Sequence, residues 1–197
     1  MNMDTNIAIT AEDLTDAQRH NLRVLAHHLA YTKLEWEFNM RFYDDNLWPS
    51  NEERTTCGAI GCVIGSASRL MESKNLSESW GGYAGRVFGI TGHLDQRHVW
   101  EWLFSSYWYY VDNTPLGAAK RITLFLDNGH SMPLDIEDRL RRIRFAPRFS
   151  NGSAENHIAK LLALYERVEV PRLPTVTLPP SYYDAVFSAA GDNGDAA

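Results

Sequence analysis

Asn113-Thr114-Pro115-Leu116-Gly117-Ala118-Ala119-Lys120-Arg121-Ile122-Thr123-Leu124-Phe125-Leu126-Asp127-Asn128-Gly129 is the stretch that decides the fold class of this chain. Proline stands at or near the first helical turn, where its missing N–H leaves no bond unmade and its fixed φ already suits a helix. Ala118, Ala119, Ile122 and Leu126 recur at helical spacing, and Asn128-Gly129 supplies residues that close a helix. The pattern predicts an amphipathic helix from Pro115 to Asn128.

Upstream lies a dense aromatic run, in which seven of the eleven residues from Trp100 to Tyr110 are aromatic. Val99, Trp102 and Leu103 share one face of a short helix over 94–104. Gly81, Gly82, Gly85, Gly89 and Gly92 break up residues 72–93, predicting loops around a short helix that carries Ala84, Val87 and Phe88. In Thr55-Thr-Cys-Gly-Ala-Ile-Gly-Cys-Val-Ile-Gly-Ser-Ala67, Gly58, Gly61 and Gly65 would each cost a surface helix about 1 kcal/mol relative to alanine. The expected compensation is burial: a central helix capped by Thr55 or Thr56 and ending near Met71, its glycine face open to close approach. Residues 36–49 read as an irregular aromatic connector. Thr15 with Gln18 forms a capping box for a first helix over about 14–31, with Leu22, Leu25, Ala26 and Leu29 inward and Arg19, Arg23 and His27 on the other face.

Downstream, Ile136 to Phe145 predicts a helix within an arginine-rich stretch, and Ala154 to Val168 an amphipathic helix with Ile158, Leu161, Leu162 and Tyr165 inward. Pro171, Pro174, Pro179 and Pro180 then forbid a helix. A chain of 197 residues suffices for one core. The expected architecture is mainly α: a compact single domain of five to seven helices over 13–168, with long glycine and aromatic loops. A flexible N-terminus over 1–12 precedes it, and an extended proline-rich arm and tail over 169–197 follow. The arm, carrying Tyr182, Tyr183 and Phe187, is expected to cover a neighbouring subunit in a homo-oligomer.

Nineteen lysines and arginines against 25 aspartates and glutamates leave a net charge of −6, which disfavours bulk nucleic-acid binding. No run approaches the roughly 18 apolar residues of a membrane span, and the polar start is unlike a signal peptide, so a cytoplasmic location and no membrane partner are expected. Six tryptophans, nine tyrosines and eight phenylalanines are many for a mean hydropathy of −0.35. They imply a dense core or a stacking surface.

Phe38-Asn39-Met40 followed by Cys57-Gly58-Ala59-Ile60-Gly61-Cys62-Val63-Ile64-Gly65 resembles a Phe-Asp-Met and Cys-Gly-Thr-x-x-Cys-x-x-Gly signature found in a group of small bacteriophage and bacterial proteins. Phe88-Gly89-Ile90, Leu103-Phe104 and Thr114-Pro115 through Ile122 are similar to the group's later pattern. The resemblance spans about residues 14–129 and implies no activity. Asn39 and Ala59 stand where the group carries aspartate and threonine.

Three features invite a ligand. Thr55, Thr56 and the amides around Gly58 would offer free donors to an anion at a helix N-terminus, or serve only as a cap. Trp100, Trp102, Trp108 and Tyr109, with Tyr107 and Tyr110, could stack on a base or build the core. Arg139 and Arg142, with Arg141, Arg144 and Arg148, could neutralise phosphates or pair with Asp135, Glu137 and Asp138. The glycine segment lacks both a phosphate-loop lysine and a dinucleotide fingerprint, and neither cysteine nor histidine spacing matches a metal site, so no cofactor or metal is expected. Cys57 and Cys62 would lie roughly 140° apart on a helix, and Cys57 near a helix start could be an activated thiol or a packed one. The leading expectation is a non-catalytic, phage-type accessory protein that binds or sequesters a small anionic or nucleotide-like ligand, such as a host signalling nucleotide. The alternatives are a factor acting on a host protein and a Cys57-dependent enzyme.

Overall fold

Seven α-helices carry the computed structural model, which describes residues 9–34, 37–40, 60–75, 77–128, 135–145 and 153–174. They are α1 (Asp16–Tyr31), α2 (Val63–Leu70), α3 (Trp80–Phe88), α4 (Arg97–Phe104), α5 (Pro115–Asn128), α6 (Ile136–Phe145) and α7 (Ser153–Leu162). Short 3-10 turns occupy Ala11–Asp13, Leu94–Gln96 and Ser106–Tyr110. A two-residue parallel pairing joins β1 (Glu37–Phe38) to β2 (Ile60–Gly61). The mainly-α expectation holds.

α1 and α5 form the most extensive helix pair. Ala118, Ala119, Ile122 and Phe125 of α5 and Leu22, Leu25, Ala26 and Leu29 of α1 all belong to the buried core. The sequence signal for α1 is realised in full: the Thr15 hydroxyl accepts from Gln18 N–H at 3.2 Å, and Gln18 Oε1 accepts from Thr15 N–H at 2.9 Å. That same Gln18 lies against Gly89, which ends α3 at φ 71°, and a Cβ there would fall 2.6 Å from Gln18 Oε1. Only glycine meets both demands.

Several expectations are corrected. The buried helix begins at Val63, with Cys62 as its N-cap, because Ile60 and Gly61 are extended and paired with β1. Gly61 and Gly65 therefore share no helix face, although Val63 to Arg69 are buried as expected of a central helix. Thr55, Thr56, Cys57 and Gly58 lie outside the described residues. Glycines 81 and 82 sit within α3 where loops were expected, and Ser106–Tyr110 form a 3-10 turn in place of an aromatic loop, while the helix expected over 94–104 is found as the Leu94–Gln96 turn followed by α4. α7 stops at Leu162, and Tyr165 reaches the core through a tightened turn in which Leu164 and Tyr165 bond three residues back. Near the N-terminus, Thr10 and Asp13 form a capping box over buried Ala11, so residues 10–12, expected to belong to a flexible segment, form a capped 3-10 turn. Arg19 turns onto that 3-10 turn, donating to the carbonyls of Ala11 and Leu14 at 3.0 and 2.7 Å.

The start of the expected arm lies on its own domain. Val170 is buried and its carbonyl accepts from the Tyr31 hydroxyl. Leu173 N–H donates to His27 Nδ1 at 3.1 Å, and the Arg172 guanidinium lies 4.6 Å from the Tyr31 ring centre. Tyr182, Tyr183 and Phe187 lie outside the described residues.

The centre of the core holds a charge. Arg121 has no exposed surface, and its guanidinium carbon lies 4.0 Å from the Trp108 ring centre and 5.7 Å from that of Tyr165. Among the described residues, none of its three guanidinium nitrogens has a partner within hydrogen-bond geometry, and the carboxylate of Asp112 stands 4.0 Å from Nη1 through Oδ2. Asp112 is held in turn by the Tyr165 hydroxyl at 2.9 Å and the Thr114 hydroxyl at 2.6 Å. Trp102, Trp108 and Tyr165 meet edge to face, with ring centres 5.4 to 6.0 Å apart. Trp102 Nε1–H donates to the Arg121 carbonyl, and Trp108 Nε1–H to that of Glu101, both at 3.0 Å. A desolvated cation over an indole gains about 2 kcal/mol, against a desolvation penalty of several kcal/mol.

Replacing Arg121 by methionine and Asp112 by asparagine together therefore leaves stability unchanged or raises it by about 1–4 kcal/mol, whereas Asp112→Ala alone, which strands the buried cation, lowers it by about 3–5 kcal/mol. Urea denaturation of the double and the single variant checks this, and a large loss in the double variant would show the indole contact to outweigh desolvation. Burial, with the charge of His27, lowers the pKa of His28, and burial lowers that of His98, from the ordinary 6.5. The unfolded chain takes up these protons first, so stability is full above pH 6.5 and falls as pH drops through the lowered values. Thermal melts between pH 8 and 5 should show this fall, and His28→Gln should make it shallower.

Candidate functional site

α6 is docked by Ile136, Leu140 and Ile143, which are buried and recur at helical spacing on one face. α4, the 106–110 turn and α7 all pack against this helix. Arg139 and Arg142, three residues apart, fall on the side next to α7. On α7, His157, Lys160 and Leu161 share a face by the same spacing. Together with Asp135, which immediately precedes α6, these five residues line a cleft of about 260 Å³.

The arginine run divides by geometry. Arg139 Nε donates to Asp135 Oδ1 at 2.8 Å, and the Arg144 guanidinium lies 5.2 Å from the Tyr107 ring centre. Glu137 is engaged from α4 by Arg97 at 2.7 Å. Arg148 lies outside the described residues. Arg142 and Lys160 are exposed and make no ion pair or hydrogen bond among the described residues. Among the described residues, the cleft thus gathers three permanent cations and one carboxylate, in a chain whose net charge is −6. The hydrogen bond from Arg139 holds the Asp135 carboxyl below its ordinary range against the opposing effect of burial, with the charges of Arg139 and Arg142 adding to the lowering. Asp135 is therefore ionised at neutral pH.

Of the ligand-site candidates singled out by sequence that lie among the described residues, Arg139 and Arg142 meet in this cleft. Trp102 and Trp108 are wholly buried against each other and Arg121, so neither presents a ring face to a base. Trp100 is half-buried, its ring packed edge-on to Phe104 at 5.1 Å. Tyr109 is half-buried and packs edge-on to Tyr110. The described cysteine, Cys62, is buried and forms no disulfide. Sequence reasoning missed His157, Lys160 and Leu161 as cleft residues. Their spacing was a usable signal, but nothing in it says which helix faces Arg139.

Among the described residues, no group of three or more histidine, cysteine, aspartate or glutamate side chains is placed to hold a metal ion. No helix there is long and apolar enough to cross a membrane. Fold and site together define a helical protein with a cationic cleft between two of its helices. Comparisons with protein-family models, curated proteins and solved structures found no match to this chain.

Because Arg142 and Lys160 are exposed and make no close ion pair or hydrogen bond among the described residues, replacing either by alanine should change stability by no more than about 0.5 kcal/mol. Chemical denaturation of the two single variants checks that they are free to serve a ligand. A loss above 2 kcal/mol in either would assign that side chain to the fold.

Proposed function

We propose that this chain is a non-catalytic binder of a small anionic, nucleotide-like ligand held between α6 and α7. The observation that carries the reading is the pair Arg142 and Lys160, two exposed cations on the walls of one cleft beside Arg139, with no hydrogen bond or close ion pair among the described residues. Like charges gathered in a concave site repel one another, and an anion relieves that repulsion while gaining about 4 kcal/mol with each cation at 4 Å in a surface-like dielectric, before desolvation. Arginine adds planar donors suited to phosphate oxygens.

The buried tryptophans shift the expected mode of binding. With Trp102 and Trp108 closed to ligand, the non-ionic part of the ligand meets Leu161 and the His157 ring. Recognition then rests chiefly on charge, and affinity should fall as salt screens it. The resemblance to bacteriophage proteins fits an accessory role in which such binding withdraws a host signalling nucleotide.

Isothermal titration of the full chain with inorganic phosphate and with mono-, di- and cyclic nucleotides tests the reading. Binding that weakens at least tenfold in the Arg142→Ala/Lys160→Ala double variant, with its melting temperature unchanged, is the expected result. Absence of heat from every anion, or equal affinity in the double variant, would dismiss the cleft as the site.

A further inference from the structure

The cleft carries one feature that a receptor for bare phosphate would not need, the Asp135 carboxylate on its wall. We infer that the cleft takes a phosphate monoester bearing a free hydroxyl, a sugar phosphate or a nucleoside monophosphate, with the phosphate at Arg142 and Lys160 and the hydroxyl donating to Asp135. The inference rests on the anion-binding reading above and narrows it to a ligand class.

Three observations support it. First, Asp135 engages Arg139 through Nε, and a carboxylate offers about four acceptor sites, so acceptor capacity remains for a hydroxyl. Using Nε leaves both terminal nitrogens of Arg139 able to reach a phosphate oxygen. Second, Asp135 and Arg142 are seven residues apart, two helical turns or about 10 Å along the axis, with Arg139 between them. An acceptor at one end and cations toward the other suit the breadth of a phosphorylated sugar. Third, a volume of about 260 Å³ falls below the roughly 300–1,000 Å³ of sites that enclose drug-sized ligands, so a dinucleotide would remain largely outside. A second phosphate near Asp135 would also meet like charge. The carboxylate therefore selects against polyphosphates and in favour of a neutral donor group.

Asp135 also stands at the start of α6, where a carboxylate favours the helix dipole, so its variant must keep that role. Asp135→Asn retains a capping side chain of the same shape and removes the charge. Titration of wild type and Asp135→Asn with inorganic phosphate, ribose 5-phosphate and adenosine monophosphate, alongside their urea midpoints, is the test.

In the wild type, at least one ester should bind at least tenfold tighter than phosphate. In Asp135→Asn that ester should lose tenfold or more while phosphate binds as well or better, since a repelling charge has gone. Equal affinity of the two esters assigns the sugar phosphate as the recognised unit, and a further tenfold gain for adenosine monophosphate assigns the nucleoside. Phosphate binding as tightly as both esters, or an Asp135→Asn variant that weakens all three alike or none, overturns the inference while leaving the anion site standing. No binding of any of the three to wild type removes the inference, and if the nucleotide panel is silent too, the anion-binding reading goes with it.

Discussion

A guanidinium with no exposed surface, resting on the Trp108 indole and 4.0 Å from Asp112, is the constraint around which this molecule is arranged. A buried cation is tolerable only where rings and a counter-charge surround it. Meeting that condition draws together α5 through Arg121, α4 through Trp102, the 3-10 turn through Trp108 and the turn after α7 through Tyr165. Gly117 belongs to the same condition, because a Cβ there would lie 1.7 Å from Asp112 Oδ2 and drive the carboxylate away. The next residue, Asn113, accepts from the Met40 amide at 2.8 Å and so ties the end of the β1 segment to the same turn.

The hub also bears on the cleft. Leu161 is at once a core residue and part of the cleft lining, and Tyr165, one turn further on, bonds to Asp112. The α7 wall is thereby anchored to the Arg121 centre. The α6 wall is held by Ile136, Leu140 and Ile143 beneath it and by the Arg97 to Glu137 ion pair at its first turn. A cleft between two helices that are each fixed to the core can present Arg142 and Lys160 without using either for structure.

Much of the helical framework was legible because its signals are local. The Thr15 and Gln18 box, the proline opening of α5 and the apolar spacing in α4 and α7 depend on residues a few positions apart. The misread places were those where a distant partner decided. Ile60 and Gly61 are extended because β1, more than twenty residues earlier, supplies their backbone partners. α7 stops early because Tyr165 is drawn to Asp112, more than fifty residues before it. Arg121 gave no warning at all, since an arginine within an amphipathic helix ordinarily faces water.

Half of the cleft was readable in the same limited sense. Arg139 and Arg142 stood out as a charge pattern, while His157 and Lys160 passed as surface residues of another helix. The aromatic residues show the converse: sequence established that they were too many to be incidental, and tertiary structure put Trp102 and Trp108 inside. By itself, then, the sequence determined a mainly helical chain, most of its helix positions and a surplus of arginine at 139–148, because hydrogen-bond ladders, caps and apolar periodicity act over a few residues. Only the tertiary structure decided which ring faces were closed, which cations stayed unpaired and where they converged, because burial and charge pairing depend on groups far apart in the chain.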